Sequence, residues 1–243
     1  MSRSVARLVG VVLALAAPLL LGGCLAQPAT SEARDVADLY LVFMAIAGVV
    51  VVIVLGLAIF AILRYRRRPG DDELPPQVHG STRLEVLWTG IPIATIVALL
   101  VMTVLVLNVF DTAAQATAGA EIRVTAFRWG WKFDYPGQGV TVEGVREPGP
   151  EIYVPVGENV KVTLGSVDVV HSFYVPRFLF KRDAIPGRES VFAFTVDEPG
   201  RYGGQCAEFC GIYHSQMPFT IVAVPRPEYE AWLAAHQQRE EGQ

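Results

Sequence analysis

The stretch Cys206-Ala-Glu-Phe-Cys210-Gly-Ile-Tyr-His214-Ser-Gln-Met217, running almost directly into Phe219-Thr-Ile-Val-Ala-Val224, decides how the rest of the chain is read. The second run has the composition of a buried β-strand. The first gathers two thiols, an imidazole and a thioether into twelve residues in front of it. A further histidine, His171, stands 35 positions before Cys206 in Val169-Val-His-Ser-Phe173. Thiolate, thioether and imidazole suit copper, whereas magnesium and calcium want oxygen. Two cysteines exceed the single one of a mononuclear blue-copper centre. Two thiolates can bridge two copper ions, each with one imidazole. Met217 and the backbone carbonyl of Glu208 then fill the weak outer positions. A disulfide is the alternative reading of Cys-x-x-x-Cys in an exported chain, and a Cys2His2 zinc site is another. A disulfide uses neither histidine nor methionine, and zinc has no use for a thioether.

Working outward, more strand-like runs precede this loop: Glu121–Thr125, Glu151–Pro155, Asn159–Leu164 and Ser190–Val196. Several alternate apolar and polar residues, and Pro136-Gly137, Pro148-Gly-Pro150, Pro186-Gly187 and Pro199-Gly200 separate them as turns. Short strands without helical interludes predict an antiparallel sandwich or barrel. A ligand loop between two late strands, with one histidine from an earlier strand end, is a rigid way to hold metal. Residues 111–226 are expected to form this domain, and 227–243 a polar surface helix with a frayed end. From 111 to 243 the chain carries 17 acidic and 12 basic residues, a net charge of −5.

The 243 residues are 52% hydrophobic, with a mean hydropathy of +0.37. That is too apolar for an ordinary soluble domain, and three apolar blocks account for it. Leu8–Leu21 follows Arg3 and Arg7 and ends in Leu21-Gly-Gly-Cys24. This describes a secretory signal over residues 1–23. The cysteine after small residues resembles a bacterial lipobox, with lipidated Cys24 as the mature N-terminus; an ordinary cleavage site is the alternative. Residues 24–38 are expected to lie outside. Leu39–Leu63 and Val86–Phe110 each run 25 residues without a charge, long enough to span a bilayer. Arg64, Arg66, Arg67, Arg68 and Arg83 crowd the 64–85 loop, which the positive-inside rule places in the cytoplasm. The expected topology is a two-helix transmembrane hairpin over 39–110, with both outer ends outside.

These residues resemble subunit II of bacterial cytochrome c oxidase, the CuA-bearing subunit of a haem-copper oxidase. The similarity is carried by Val170-His-Ser-Phe-Tyr-Val-Pro176, Asp183-Ala-Ile-Pro-Gly187 and Tyr202-Gly-Gly-Gln-Cys-Ala-Glu-Phe-Cys-Gly211 with His214 and Met217. The resemblance implies a membrane α-hairpin plus an all-β, cupredoxin-like antiparallel sandwich, in the plasma membrane of a bacterium. It implies a CuA centre of two copper ions held by His171, Cys206, Glu208 (through its carbonyl), Cys210, His214 and Met217. It also implies that the Glu208 side chain lies near a magnesium ion shared with subunit I; a solvated loop carboxylate is the alternative.

Arg128-Trp-Gly-Trp-Lys-Phe-Asp-Tyr135 is similar to the family's aromatic segment, in which Trp129 would relay electrons from cytochrome c. Gly130 departs from it, standing where the family often has an aromatic. Trp131, Phe133 and Tyr135 read as core. Asp168 matches a donor-docking carboxylate. Glu85 matches a glutamate at the cytoplasmic mouth of a proton pathway, and a helix-N-terminal charge favoured by the dipole is an equal reading. His79 and His236 lack neighbours of ligand type and read as solvated.

The implied partners are subunit I and other oxidase subunits, cytochrome c and the membrane, with no nucleic acid. The implied function is to accept electrons from cytochrome c and pass them to haem in subunit I, where oxygen is reduced to water and protons are pumped. The competing readings are the CuA subunit of a nitric oxide reductase and a membrane-tethered copper carrier. A carrier needs exposed, exchangeable ligands.

Overall fold

The structure is a computed structural model that describes residues 26–67, 70, 76, 77 and 80–241. Cys24, Arg68 and His79 lie outside the described residues. Helix α1 spans Ser31–Arg64 and helix α2 spans Thr82–Ala113. At 1.5 Å per residue, α1 is about 50 Å long against roughly 30 Å of hydrocarbon. Both helices outrun their apolar blocks. α1 starts eight residues before Leu39, because Thr30 caps it by accepting the Ala33 amide at 3.0 Å and Glu32 sits in the first turn.

Ten strands follow: β1 Ala120–Phe127, β2 Gly130–Tyr135, β3 Val140–Val145, β4 Glu151–Pro155, β5 Asn159–Ser166, β6 His171–Val175, β7 Phe180–Ala184, β8 Ser190–Thr195, β9 Gly200–Cys206 and β10 Pro218–Val224. They form two five-stranded sheets, β3-β2-β1-β5-β8 and β4-β10-β9-β6-β7, packed as a sandwich. The sheets are mixed rather than purely antiparallel. β1 runs parallel to β5, with Val124 opposite Leu164, and β4 runs parallel to β10, with Ile152 opposite Ile221. Those pairings join strands far apart in sequence, which local alternation does not specify.

Alternation does set the core. On β5, Val160, Val162 and Leu164 point inward and are buried, while their neighbours are half-buried. Trp131, Phe133, Phe173, Phe192 and Phe219 fill the space between the sheets. Phe219 stacks on Phe173 at 4.7 Å and meets Trp131 at 5.3 Å. Tyr135 is buried too, and its hydroxyl donates to the Tyr153 carbonyl at 2.9 Å.

Helix α3, Arg226–Glu241, is not merely a polar surface helix. Tyr229 and Leu233 are buried, and Trp232 stacks on Tyr153 at 4.8 Å. Positions 229, 232, 233 and 236 lie on one face. His236 therefore has partners. Its ring sits 4.3 Å from that of Trp232, and Nδ1 donates to the Trp232 carbonyl at 2.9 Å.

Candidate metal centre

β9 and β10 are antiparallel neighbours, so residues 206–217 are the loop of a hairpin. The Cys206 amide donates to the Met217 carbonyl at 3.1 Å, closing the loop at its neck. The same carbonyl accepts the indole N–H of Trp131 at 3.1 Å. β6 lies beside β9, with Phe173 opposite Cys206, which brings His171 at the start of β6 to the loop. The Ala207 amide donates to the Ser172 carbonyl at 3.1 Å and ties the two together.

All six expected donors converge. Cys206 Sγ and Cys210 Sγ are 3.9 Å apart. His171 Nδ1 lies 3.8 Å from the first sulfur and His214 Nδ1 lies 3.6 Å from the second. The Glu208 carbonyl oxygen is 3.3 Å from Cys206 Sγ, and Met217 Sδ is 3.6 Å from Cys210 Sγ. A disulfide needs about 2.05 Å between sulfurs, so the two cysteines are free thiols here. Each sulfur has its own imidazole and its own weak donor. That doubled set fits two soft ions, while a tetrahedral zinc site would leave the thioether and the carbonyl unused. His171, Cys206, Cys210 and Met217 are buried.

Burial opposes a thiolate at both cysteines. At Cys206 the His171 ring and the backbone around Ser172 and Glu208 outweigh it and bring the thiol down to about 6. At Cys210 burial and the adjacent Cys206 sulfur push the thiol up to about 12. The metal-free pair therefore gives up one proton readily and holds the second.

Around these ligands, Asp168 does more than the sequence suggests. Its Oδ1 lies 2.9 Å from His171 Nε2, while Oδ2 accepts the Arg128 amide at 2.7 Å. Burial works against this carboxylate, but the His171 ring and the amides of Val169 and Arg128 hold it down at about 2. The contact turns His171 Nδ1 toward Cys206. The Glu208 carboxylate is ion-paired with Lys181.

Trp129 is half-buried, and its indole N–H donates to the Cys210 carbonyl at 3.3 Å. Gly211, at φ 125°, makes room for that indole: a Cβ there would lie 3.1 Å from it. Gly130 is more tightly constrained, since a Cβ would strike the Gly144 carbonyl. No aromatic fits at 130; instead Tyr213 meets Trp129 edge to face at 4.9 Å. Glu85 lies exposed in the first turn of α2, far along the chain from this loop. In the alternating aromatic pattern Trp131 reads as packing alone. A fully buried indole still needs an acceptor, and that need was the available signal for its bond to Met217.

Comparison with known proteins agrees with both halves. Residues 121–224 match the family model for the cytochrome C oxidase subunit II periplasmic domain, and residues 18–109 match that for its transmembrane domain. Cytochrome c oxidase subunit 2 of Alkalihalophilus pseudofirmus is 38% identical, covering 88% of this chain and 64% of the relative. The chain thus spans about two thirds of that relative's length. Subunit 2 of Cereibacter sphaeroides is 29% identical, covering 87% of this chain and 80% of the relative. Among solved structures, the periplasmic domain of subunit II of cytochrome oxidase from Bradyrhizobium japonicum is 31% identical. It covers 51% of this chain and 97% of its own, with a TM-score of 0.49. Two helices of membrane-spanning length, joined to a domain that matches a periplasmic one, make this a membrane protein with its C-terminal domain outside the cytoplasm. With its hairpin, its sandwich and its convergent sulfur and imidazole donors, the chain belongs to the cytochrome c oxidase subunit II family.

Proposed function

We propose that this chain holds a binuclear CuA centre, accepts single electrons from cytochrome c and passes them to haem in a partner subunit, where oxygen is reduced to water and protons are moved. The observation that carries the reading is the doubled donor set: two sulfurs 3.9 Å apart, each with its own imidazole nitrogen within 3.8 Å. His171, Cys206, the Glu208 carbonyl, Cys210, His214 and Met217 would hold the metal. When bound, copper there would supply a one-electron store, and the Met217 thioether and the Glu208 carbonyl would tune its potential.

The chain's own residues do the rest. Asp168 orients His171. The neck bond from Cys206 to Met217 and the Trp131 indole hold the ligands still, so little rearrangement need accompany a change of charge. Trp129 reaches from the half-buried surface to the carbonyl of Cys210, a single hydrogen bond from a ligand residue's backbone. This supports it as the point where electrons come in. Burial of His171, Cys206, Cys210 and Met217 speaks against a copper carrier, which needs ligands it can exchange.

Magnesium at the Glu208 carboxylate would require Lys181 to release it. Lipidation of Cys24 and a proton-pathway role for Glu85 remain part of the proposal, carried by the motifs alone.

The test is metal analysis and electron paramagnetic resonance of the full chain purified in detergent and loaded with copper. Two coppers per chain sharing one unpaired electron are expected, with the shared signal lost in Cys206→Ser and in Cys210→Ser. One copper per chain, or a colourless zinc protein, would overturn the binuclear reading.

A further inference from the structure

The rim around Trp129 is not the acidic surface that the domain's net charge of −5 suggests. Asp168, which contacts Arg128 next to Trp129, is occupied by the His171 ring, by the Arg128 amide and, at 3.4 Å, by the Arg128 guanidinium. What stands beside Trp129 instead is a cation on an aromatic shelf. Tyr213 meets Trp129 edge to face, and the Arg146 guanidinium lies 4.9 Å from the centre of the Tyr213 ring.

The placement of Arg146 is built in. It is a non-glycine residue held at φ 54°, in the left-handed region that side-chain-bearing residues rarely adopt. Its amide donates to the Trp129 carbonyl at 2.9 Å, which fixes the β2–β3 hairpin end against the aromatic segment. Apolar side chains flank the stack: Val145 is 56% exposed, Val167 70% and Ile212 78%. Val145 lies opposite Gly130, Val167 donates its amide to Ala126 at the end of β1, and Ile212 adjoins Tyr213. Glu147, next in sequence and exposed, is the neighbouring acid that works against the cation.

Exposed apolar residues beside a half-buried tryptophan, with a guanidinium stacked on the neighbouring tyrosine, complement a partner with an apolar redox edge and a carboxylate beside it. A lysine-rich face would meet the Arg146 guanidinium head on; that of Arg128 is paired with Asp168. We infer that Arg146, seated on Tyr213 beside Trp129, is the docking cation of this domain and fits an electron-carrier protein presenting a carboxylate at the rim of an apolar patch around its exposed redox group. The inference rests on the electron-accepting reading above, and the two can fail separately.

The experiment uses the full chain in detergent and two probe donors of similar size, a carboxylate-rich cytochrome c and a lysine-rich one. Binding to the copper-free chain is measured by anisotropy of the labelled donor, and reduction of the copper-loaded chain by stopped flow. In about 20 mM salt, Arg146→Gln is expected to weaken binding of the carboxylate-rich donor about threefold or more and to slow its electron transfer to match. Arg146→Lys, which keeps the charge, is expected to restore both, and about 200 mM salt to erase the difference. Tighter binding of the lysine-rich donor, or an Arg146→Gln variant that binds the carboxylate-rich donor as well as wild type, would overturn the inference. Reduction by an uncharged flavin semiquinone is expected to be the same in all three chains. If that flavin reduces none of them, the electron-accepting reading falls, and the binding measurements still decide the docking cation.

Discussion

The Asp168 carboxylate faces two ways, toward the His171 ring and toward the backbone and side chain of Arg128, with its side chain 22% exposed. Two roles for it lead to opposite results. As a docking carboxylate it would govern donor affinity and leave the metal alone. As the group that orients a ligand it would govern the metal, since hydrogen-bond partners of metal-bound histidines typically account for a 10- to 100-fold difference in affinity. The geometry favours the second. Asp168→Asn is therefore expected to lower copper affinity by roughly tenfold or more, read by competition with a chelator, and to change the copper spectrum. Unchanged copper affinity with a raised KM for cytochrome c would return Asp168 to docking. The candidate donors were legible in the sequence because soft donors are scarce elsewhere: Cys206, Cys210, His214 and Met217 stand within one twelve-residue run. The company kept by Asp168 was not legible, because it depends on the end of β1 arriving beside the start of β6.

At the scale of elements, the ligand hairpin and helix α3 are held by different means. The hairpin loop is fixed by polar bonds at its neck, from the Cys206 amide and the Trp131 indole to one carbonyl of Met217. α3 is fixed by an aromatic stripe, with Trp232 stacked on Tyr153 and 5.3 Å from the ring of Tyr135. Trp232→Ala is expected to cost about 2 kcal/mol of unfolding free energy, because the indole is half-buried. The copper spectrum should stay as it is, since the stripe touches no ligand. A spectrum that changes with Trp232 would mean that the helix supports the centre through β2. Alternation and turn signals marked five of the ten strands, β1, β4, β5, β8 and β10, while the stripe at 229, 232, 233 and 236 was readable but masked by the polar residues around it. The parallel pairings of β1 with β5 and of β4 with β10 had no local signal at all. Nor did the starts of the membrane helices. Ser31, Glu32, Arg34 and Asp35 lower the hydropathy of the first turns of α1 although the helix is continuous there, so apolarity marks where the membrane is rather than where the helix begins.

At the scale of the molecule, the two helices do not tether the sandwich; they are built into it at two points. At the start of α1, Thr30 bridges to Val196, the Asp197 amide donates to the Ala29 carbonyl at 3.0 Å and the Thr195 amide donates to the Glu32 carboxylate at 3.0 Å. Arg34 adds an ion pair with Asp197 at 2.8 Å. At the end of α2, Phe110 is 1% exposed and stacks on Phe180 at 4.1 Å, Asp111 pairs with Arg182 at 2.6 Å, and the Ala113 carbonyl accepts from Asn159 at 2.9 Å. Phe180 and Arg182 belong to β7, and Ala184 at the far end of β7 pairs with His171. The strand gripped by α2 is therefore the neighbour of the strand that begins with the candidate donor His171, so the mount fixes where the candidate centre sits relative to α2. Of these contacts the stacked phenylalanine is the one water cannot replace; the surface ion pair is worth about 1 kcal/mol at most. Phe110→Ala is expected to weaken the α2 attachment by about 3 kcal/mol. Amide exchange over residues 114–119 and protease cleavage there should rise. The copper spectrum should persist, because the ligand loop is closed by its own bonds. In the assembled oxidase, electron transfer from copper to haem should slow, since it depends on a fixed distance. If exchange and cleavage at 114–119 match wild type, the grip lies with the α1 contacts instead, and Thr30→Ala together with Arg34→Gln should then loosen the domain where Phe110→Ala did not.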